Sequence, residues 1–308
     1  MVLEEASFGF ADTKFGPAPV GSPLVYQQSP SLQDRSVWMS PNIALTRAKA
    51  SSIPVPPLLF QESTEYEVPT LTDISHANIL RSIALTKAAA LELEKNTQQQ
   101  SKSDRWLAAQ QYRLTASKFG LVMRRENWTQ QRLHNLTAHK DLSRCRPVAY
   151  GRKHEDTAAE HYCRALQNLG HDIVVSHCGI AVHPSCPWLG ASPDRFVFDP
   201  EESPPHGVLE IKCPYSLRDS ELEHAKSELK QMQSDEGGHP MVKRESDYYY
   251  QILGQMAITG LKWGDFVVFS EKFMIVERIY FDEDKWKNAK RKLDYFYFNH
   301  LLPYFSKN

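Results

Sequence analysis

The segment Gly207-Val-Leu-Glu-Ile-Lys-Cys-Pro214 places an acid and a lysine within a short, largely apolar run. Its aliphatic and β-branched residues predict a strand. Because side chains alternate along a strand, Glu210 and Lys212 point the same way, whereas Cys213 lies on the other face and is interpreted as a small buried side chain. Taken alone, this is a half-exposed amphipathic strand with a charge pair. A functional interpretation needs further polar residues nearby.

A second carboxylate lies sixteen residues before Glu210, in the stretch Gly190-Ala-Ser-Pro-Asp194. Pro-Asp is a common turn, so Asp194 by itself indicates little. Next to a Glu-x-Lys strand, however, it would bring two hard oxygen ligands and an ammonium group to one end of a sheet. Such a donor set suits Mg²⁺, which prefers oxygen ligands and keeps part of its water shell.

A helix predicted over residues 152–169 offers a third carboxylate. Glu155 follows the spacing of the apolar stripe of this helix, so we expect it to face the core. A buried acid needs a partner, and Arg152 or Lys153 would serve. In a chain that already offers two such carboxylates, we favour a metal ligand or an anchor for metal-bound water.

The segment DYYYQILGQMAIT at residues 247–259 predicts a helix that Gly260 ends. Gln251 and Gln255 lie one turn apart on this otherwise apolar segment. A glutamine in such a place is often a core amide with satisfied hydrogen bonds, and it can also hold a water or a phosphate oxygen. Both interpretations stay open at this point.

Five short motifs follow one another along the chain. They are Arg113-Leu-Thr-Ala-Ser117, Tyr150-Gly-Arg-Lys-His-Glu155, Pro187-Trp-Leu-Gly-Ala-Ser-Pro-Asp194, Leu209-Glu-Ile-Lys-Cys-Pro214 and Tyr248-Tyr-Tyr-Gln251. In this order and spacing, the chain resembles the YqaJ-type viral recombinase domains, the lambda-exonuclease branch of the PD-(D/E)XK nucleases. Each motif is weak alone, and the resemblance rests on all five together.

The resemblance implies a mixed α/β fold with a restriction-endonuclease-like core, in which helices flank a small central mixed sheet. It also implies that Asp194, Glu210 and the backbone carbonyl of Ile211 bind Mg²⁺, for which Mn²⁺ can substitute. Glu155 would support the metals, and a two-metal site is compatible with this set. Two cations on a carboxylate cluster suit phosphodiester hydrolysis, because they activate water and neutralise the developing charge.

The same resemblance assigns roles to four other residues. Lys212 would orient and help deprotonate the attacking water, and Gln251 would contact the reacting phosphate or water. Arg113 and Ser117 would grip the 5′ phosphate region of the DNA. The activity expected from this family is 5′ to 3′ exonuclease digestion of linear duplex DNA, in recombination or in the processing of viral or mobile-element DNA.

Arg195 departs from the family pattern, which usually has glycine after the aspartate of this turn. A side chain here requires a turn that avoids positive φ, or else strain. Arg195 can alternatively reach a DNA phosphate. Its presence is the one feature that favours a catalytically silent DNA-binding module of the same fold. A third alternative is an interaction domain fused to an adaptor tail.

Composition divides the chain into a tail and a globular part. Of the 308 residues 41% are hydrophobic, which is ordinary globular usage. Nine of the 19 prolines fall within the first 70 residues. We therefore predict a largely disordered Pro/Ser-rich tail over residues 1–74, a helical lead-in over 75–104 and the nuclease-like domain over 105–308.

Charge and hydropathy point to a nucleic-acid partner and away from a membrane. Residues 101–164 hold thirteen Lys or Arg against six acids, while the whole chain has a net charge of −1. This block fits a phosphate-tracking surface, although solvated basic helices look the same. No run approaches the ~18 apolar residues of a membrane helix, and a signal-peptide pattern is lacking. Five cysteines suit a reducing compartment.

These observations predict a soluble intracellular protein, the nucleus being one compartment open to it, whose partner is the duplex DNA end. The resemblance is compatible with a single-strand annealing protein as a second partner and with a homo-oligomer. A zinc site is the competing interpretation for His177, Cys178, His183 and Cys186. Their spacing matches no standard finger and crosses a predicted strand, so we do not favour it.

Overall fold

The computed structural model describes residues 10–13, 16–19, 36–39, 56, 58, 68–138, 142 and 145–307, and every structural statement below concerns these residues. The tail predicted over residues 1–74 therefore lies largely outside the described residues. None of the described helices is both long enough and apolar enough to cross a bilayer.

The chain alternates short strands with helices. The strands are β1 (Phe10–Thr13), β2 (Gly16–Pro19), β3 (Ser36–Met39), β4 (Leu114–Thr115), β5 (Val174–His177), β6 (Leu189–Gly190), β7 (Arg195–Phe198), β8 (His206–Lys212), β9 (Met232–Ser234), β10 (Pro240–Val242), β11 (Trp263–Phe269) and β12 (Met274–Tyr280). The helices are α1 (Ile74–Ile83), α2 (Lys87–Lys95), α3 (Asp104–Gln110), α4 (Phe119–Met123), α5 (Gln130–Thr137), α6 (Arg146–Asn168), α7 (Leu222–Glu228), α8 (Asp247–Thr259), α9 (Glu283–Phe296) and α10 (Leu302–Phe305).

A six-stranded sheet in the order β3-β12-β11-β8-β7-β5 forms the centre. The pair β8–β11 is parallel and the other pairs are antiparallel, so the sheet is mixed. This confirms the predicted mixed α/β class. The edge strand β3 belongs to a segment for which we expected a disordered tail, and these four residues instead pair with β12.

The residues of β8 are buried on both faces of the sheet, because a different helix covers each face. On one face Leu209 and Ile211 join a cluster with Tyr162 and Leu166 of α6. On the other face Val208 joins a cluster that includes residues of α8. By strand alternation Glu210 and Lys212 lie on this second face, towards α8, and Cys213 lies on the α6 side as predicted.

Helix α8 has the predicted bounds because its end signals are strong. The side chain of Ser246 accepts a hydrogen bond from the amide of Tyr249, and Gly260 ends the helix with φ of 78°. Helix α6 begins six residues earlier than predicted, with a proline in its first turn that the 152–169 prediction passed over. A serine shortly before an apolar run, as Ser117 is, is typical of a helix cap, but Ser117 makes no capping bond here and α4 begins after Lys118.

A buried ionic network ties β11 and β12 to the segment after β7. The guanidinium of Arg278 is fully buried and donates to both carboxylate oxygens of Asp265, at 2.8 Å each. It also donates to Asp199 at 2.8 Å and to Glu202 at 2.7 Å. The same group stacks on the ring of Trp263, 4.0 Å from its centroid. The network fixes the side of the sheet away from the carboxylate cluster described next.

Candidate active site

Glu210 is the centre of a hydrogen-bonded cluster at the carboxyl end of β8. It is 2% exposed. Its Oε1 accepts hydrogen bonds from Lys212 Nζ and, at 2.5 Å, from Gln251 Nε2. Its Oε2 accepts from Gln255 Nε2 at 2.6 Å. Because a buried carboxylate without donors is costly, these three bonds account for the burial of Glu210.

Asp194 stands at the start of the neighbouring strand β7. Its Oδ2 accepts a hydrogen bond from the amide of Ile211 at 2.6 Å, and its own amide donates to the carbonyl of Leu209 at 3.0 Å. These two bonds extend the β7–β8 ladder by one residue. Within the described part of the chain Oδ1 of Asp194 receives no hydrogen bond, so one oxygen of this carboxylate is open to a ligand.

The turn that carries Asp194 is held from outside the sheet. Gln100 Nε2 donates to the carbonyls of Pro193 and Cys178, at 2.8 Å each. Trp106 Nε1 donates to Ser192 Oγ at 2.9 Å. The segment before residue 105 is therefore packed against the domain and positions its aspartate.

Negative charge is concentrated at this end of the sheet. Burial, together with the charges of Glu210 and Glu155, raises the pKa of Asp194 well above its usual value. Burial alone would lower the pKa of Lys212, but the charges of Glu210 and Asp194 outweigh it and raise that pKa. The cluster therefore favours a cation, and Lys212 is the positive side chain already in it.

Glu155 does not face the core as its position in the stripe predicts. Its side chain is 34% exposed, and its Oε1 accepts a hydrogen bond from Arg195 Nη1 at 2.9 Å. The partner is thus Arg195, and neither of the two basic neighbours on the same helix. The stripe of α6 is buried at Ala159, Tyr162 and Leu166, and Glu155, one turn before Ala159, is only partly covered.

Arg195 is turned inward, which differs from the predicted reach to a DNA phosphate. It is 6% exposed, and its guanidinium bonds to Glu155, to Asp156 and, at 2.5 Å, to the backbone carbonyl of Asp194. Its backbone is not strained, because Gln100 and Tyr112 are the only non-glycine residues with positive φ among those described. A side chain in place of the usual glycine is accommodated because β7 begins here in extended backbone.

Arg113 is also placed differently from the prediction. It is 8% exposed, and its guanidinium donates to the backbone carbonyls of Pro187, Ala109 and Ile83 at 2.9, 2.6 and 2.8 Å. Burial lowers the pKa of Arg113 to about 10. Three of the five N–H donors of Arg113 thus join chain segments, and its contact with a 5′ phosphate stays a prediction.

Ser117 is exposed, and its Oγ lies 3.3 Å from Oγ1 of Thr115. Its contact with DNA stays a prediction, as does the ligand role of the Ile211 carbonyl.

The four residues of the zinc interpretation are not gathered into a site. Across the described ranges no three or more His, Cys, Asp or Glu side chains form a group that could hold a metal. At the carboxylate cluster this leaves a pair, Asp194 and Glu210.

A groove of about 550 Å³ opens beside Glu155. Its lining includes Lys102 and Arg152, both exposed, and the turn at residues 98–101. Two basic residues of the predicted phosphate-tracking block thus share this groove with Glu155, Asp156 and Arg195.

Three positioning residues were not assigned from the sequence. Gln255 carried a visible signal, since it lies one turn from Gln251 on an apolar helix, and the structure gives it a partner in Glu210. Gln100 and Trp106 carried none. Their contacts with the turn before Asp194 span 86 to 93 residues of chain, and no local pattern encodes such a pairing.

The chain is similar to two solved exonuclease structures. The alkaline exonuclease LHK-Exo from Laribacter hongkongensis is 23% identical over 67% of this chain and 95% of that chain, with a TM-score of 0.47. The Shutoff and Exonuclease Protein from Kaposi's sarcoma-associated herpesvirus is 14% identical over 76% of each chain, with a TM-score of 0.49. No curated protein matches the chain.

The sequence model of the YqaJ-like viral recombinase domain matches residues 105–262, which is half of the chain. The matched span contains Asp194, Glu210, Lys212 and both glutamines of α8. Because the family model covers half of the chain, this chain belongs to the YqaJ-like viral recombinase domain family.

Proposed function

We propose that this chain is a metal-dependent deoxyribonuclease that digests linear duplex DNA from its ends, 5′ to 3′, in recombination or in the processing of viral or mobile-element DNA. The observation that carries the proposal is the convergence of Lys212, Gln251 and Gln255 on Glu210, one strand away from Asp194. The direction of digestion and the biological setting rest on the family alone.

The carboxylate pair fits a hard divalent cation. Asp194 and Glu210 offer oxygen donors of like charge on adjacent strands, and their mutual repulsion in a buried setting is relieved by a cation. Oδ1 of Asp194 is the open donor atom. When bound, Mg²⁺ or Mn²⁺ would supply charge neutralisation at the phosphate and a water of lowered pKa. The proposed ligands are Asp194, Glu210 and the carbonyl of Ile211.

The remaining side chains of the cluster orient the reactants. The ammonium of Lys212 is fixed by its bond to Glu210 and would donate a hydrogen bond to the attacking water or to a phosphate oxygen. Gln251 shares the same Glu210 oxygen and lies half-buried at the edge of the cluster, where its amide can turn to the phosphate. Hydrolysis adds the water oxygen to phosphorus, breaks the bond to the leaving sugar oxygen and returns a proton to that oxygen.

The basic groove offers a path for the DNA backbone. Lys102 and Arg152 are exposed on its wall and have no ion-pair partner among the described residues. Phosphate binding by such residues is independent of sequence and weakens with salt. Ser117 would add a neutral donor to the same task.

The test is digestion of linear duplex DNA labelled at the 5′ or the 3′ end, with Mg²⁺, with Mn²⁺ and with a chelator. We expect metal-dependent release of the 5′ label as a mononucleotide, while the 3′-labelled strand shortens gradually. Lys212→Ala, Asp194→Asn and Glu210→Gln should slow cleavage by about 10²-fold or more, since each removes a group that stabilises the transition state. Lys287→Ala, which alters an exposed lysine of α9, is the matched control.

DNA binding by the same variants, measured by fluorescence anisotropy, separates the alternatives. Binding that survives in Asp194→Asn supports the proposal, because the substitution leaves the basic groove unchanged. Clean binding by the wild-type chain with no cleavage under any metal would instead establish the silent DNA-binding module. Release of the 3′ label first would contradict the proposed direction.

A further inference from the structure

The guanidinium of Arg195 occupies a fixed position inside the carboxylate cluster. Nη1 contacts Glu155 Oε1 at 2.9 Å and the Asp194 carbonyl at 2.5 Å, and Nη2 pairs with Asp156. Glu155 and Asp156 are consecutive residues of α6, and the planar fork of an arginine reaches both at once, which a lysine cannot do. At 6% exposure the group has little freedom to leave.

This contact changes what Glu155 can contribute. The guanidinium of Arg195, 2.9 Å from Oε1, already gives Glu155 a positive partner. The charged donors left for a divalent cation are Asp194 and Glu210, in agreement with the absence of any group of three such side chains in the described ranges. A second cation beside Asp194 would also lie close to the guanidinium and be repelled by it.

We propose that Arg195 supplies one positive charge of this centre from the protein itself, so that the centre takes a single divalent cation, held by Asp194 and Glu210, and Glu155 is not a metal ligand. The proposal rests on the proposed metal-dependent function and refines its cofactor requirement. It also gives the departure from the family's glycine a role in the site.

The test counts bound metal in the full chain without DNA. Isothermal titration with Mn²⁺ gives stoichiometry and affinity, and electron paramagnetic resonance detects the spin coupling of two neighbouring Mn²⁺ ions. We expect one Mn²⁺ per wild-type chain and no spin coupling. Glu155→Gln should bind one Mn²⁺ with a Kd within about twofold of wild type, whereas loss of even an outer contact of a metal site typically costs about 10–100-fold.

Arg195→Gly restores the family residue and should admit a second Mn²⁺, visible as a second binding step and as spin coupling. The control is Arg164→Ala, which removes another arginine paired with an acid of α6, in this case Glu160. This variant should still bind one Mn²⁺ per chain. Asp194→Asn should lose the bound ion. If a thermal melt shows that Arg195→Gly is not folded, the Mn²⁺ affinity of Glu155→Gln alone tests the proposal, because this variant leaves Arg195 in place.

Two coupled Mn²⁺ ions in the wild type, or a loss of affinity of tenfold or more in Glu155→Gln, would overturn this proposal while leaving the nuclease function standing. A wild-type chain that binds no Mn²⁺ would remove the metal-dependent function itself, and the inference with it. The two failures are thus distinguished by the count on the wild-type chain.

Discussion

The amide nitrogen of Gln255 lies 2.6 Å from Oε2 of Glu210, and both side chains are buried. Gln255 donates from the middle of α8, one turn beyond Gln251, and so fixes the rotation of the carboxylate from the protein interior. Its carbonyl oxygen Oε1 has no hydrogen-bond partner in the described residues. The only side-chain hydrogen bond described for this buried amide is therefore the one that it donates to Glu210.

We predict that Gln255→Leu slows DNA cleavage by about 10–100-fold, in line with the cost of losing an outer-shell partner of a metal ligand. The apolar side chain fills similar space but leaves Glu210 Oε2 without its donor. The measurement is kcat and KM on end-labelled duplex, where we expect the loss in kcat. Gln131→Met, on the exposed face of α5, is the control. An equal loss in KM, with kcat kept, would argue against a positioning role.

We predict that Arg113 stabilises the folded protein and does not take part in recognising DNA ends. Arg113→Met should lower the free energy of unfolding by about 2–4 kcal/mol, because three carbonyls buried at the joints between segments lose a charged donor. Urea denaturation measures this, with Arg132→Met on exposed α5 as the control. The idea fails if the variant is as stable as wild type yet no longer distinguishes 5′-phosphate from 5′-hydroxyl ends.

Gln100 combines a strained backbone, with φ of 45°, with two hydrogen bonds to the carbonyls of Pro193 and Cys178. Both Gln100→Ala and Gln100→Gly remove these bonds, but only glycine relieves the left-handed conformation. We expect Gln100→Gly to be more stable than Gln100→Ala by about 1 kcal/mol.

Both Gln100 variants should cleave DNA more slowly than wild type, because each loosens the turn that carries Asp194. Thermal melts and cleavage rates on the same preparations check this. Equal stability of the two variants would show that the backbone relaxes, and unchanged cleavage would show that the turn is held by Trp106 alone.

Arg278→Leu should cost about 3–5 kcal/mol, since it removes the arginine partner of two buried carboxylates and leaves only His171 beside Asp199 and the Tyr162 hydroxyl on Asp265. Burial would raise the pKa of Asp199, but hydrogen bonds from His171 and Arg278 lower it in the native protein. Because the pKa of Asp199 is lower in the folded than in the unfolded chain, its ionised form stabilises the folded protein at pH values above the unfolded pKa of about 4. This contribution is lost as the pH falls through the folded pKa.

Without the hydrogen bonds and the charge of Arg278, burial should raise the pKa of Asp199, and its protonation at acid pH would relieve the variant. The difference in unfolding free energy between wild type and Arg278→Leu should therefore shrink from pH 7.5 to pH 4.5. Urea titrations at both pH values measure it, with the exposed Arg291→Leu as the control. A difference that grows towards acid would contradict the assignment.

Local patterns predicted much of the fold. The bounds of α8 follow from its cap and from Gly260, and the alternation of β8 placed Glu210 and Lys212 together because strand geometry has a fixed period of two. Glu155 was expected to be buried and is partly exposed. Helical periodicity shows which way a side chain points around α6, but it does not show whether another part of the fold covers that position. The sequence singled out Arg113 but not its backbone partners, because an arginine in a motif looks the same whether it faces phosphate or backbone carbonyls.

The family, the central strands and helices, and the presence of Asp194, Glu210 and Lys212 within one short span could be predicted from the sequence, since these features depend on residues that are close in the chain. The tertiary structure alone decided the partners: Gln100 on the turn before Asp194, Gln255 on Glu210, and Arg195 on Glu155. A charged side chain has many partners within reach along the chain. Which one it meets is fixed only when packed layers exclude water and leave a single way to satisfy its hydrogen bonds.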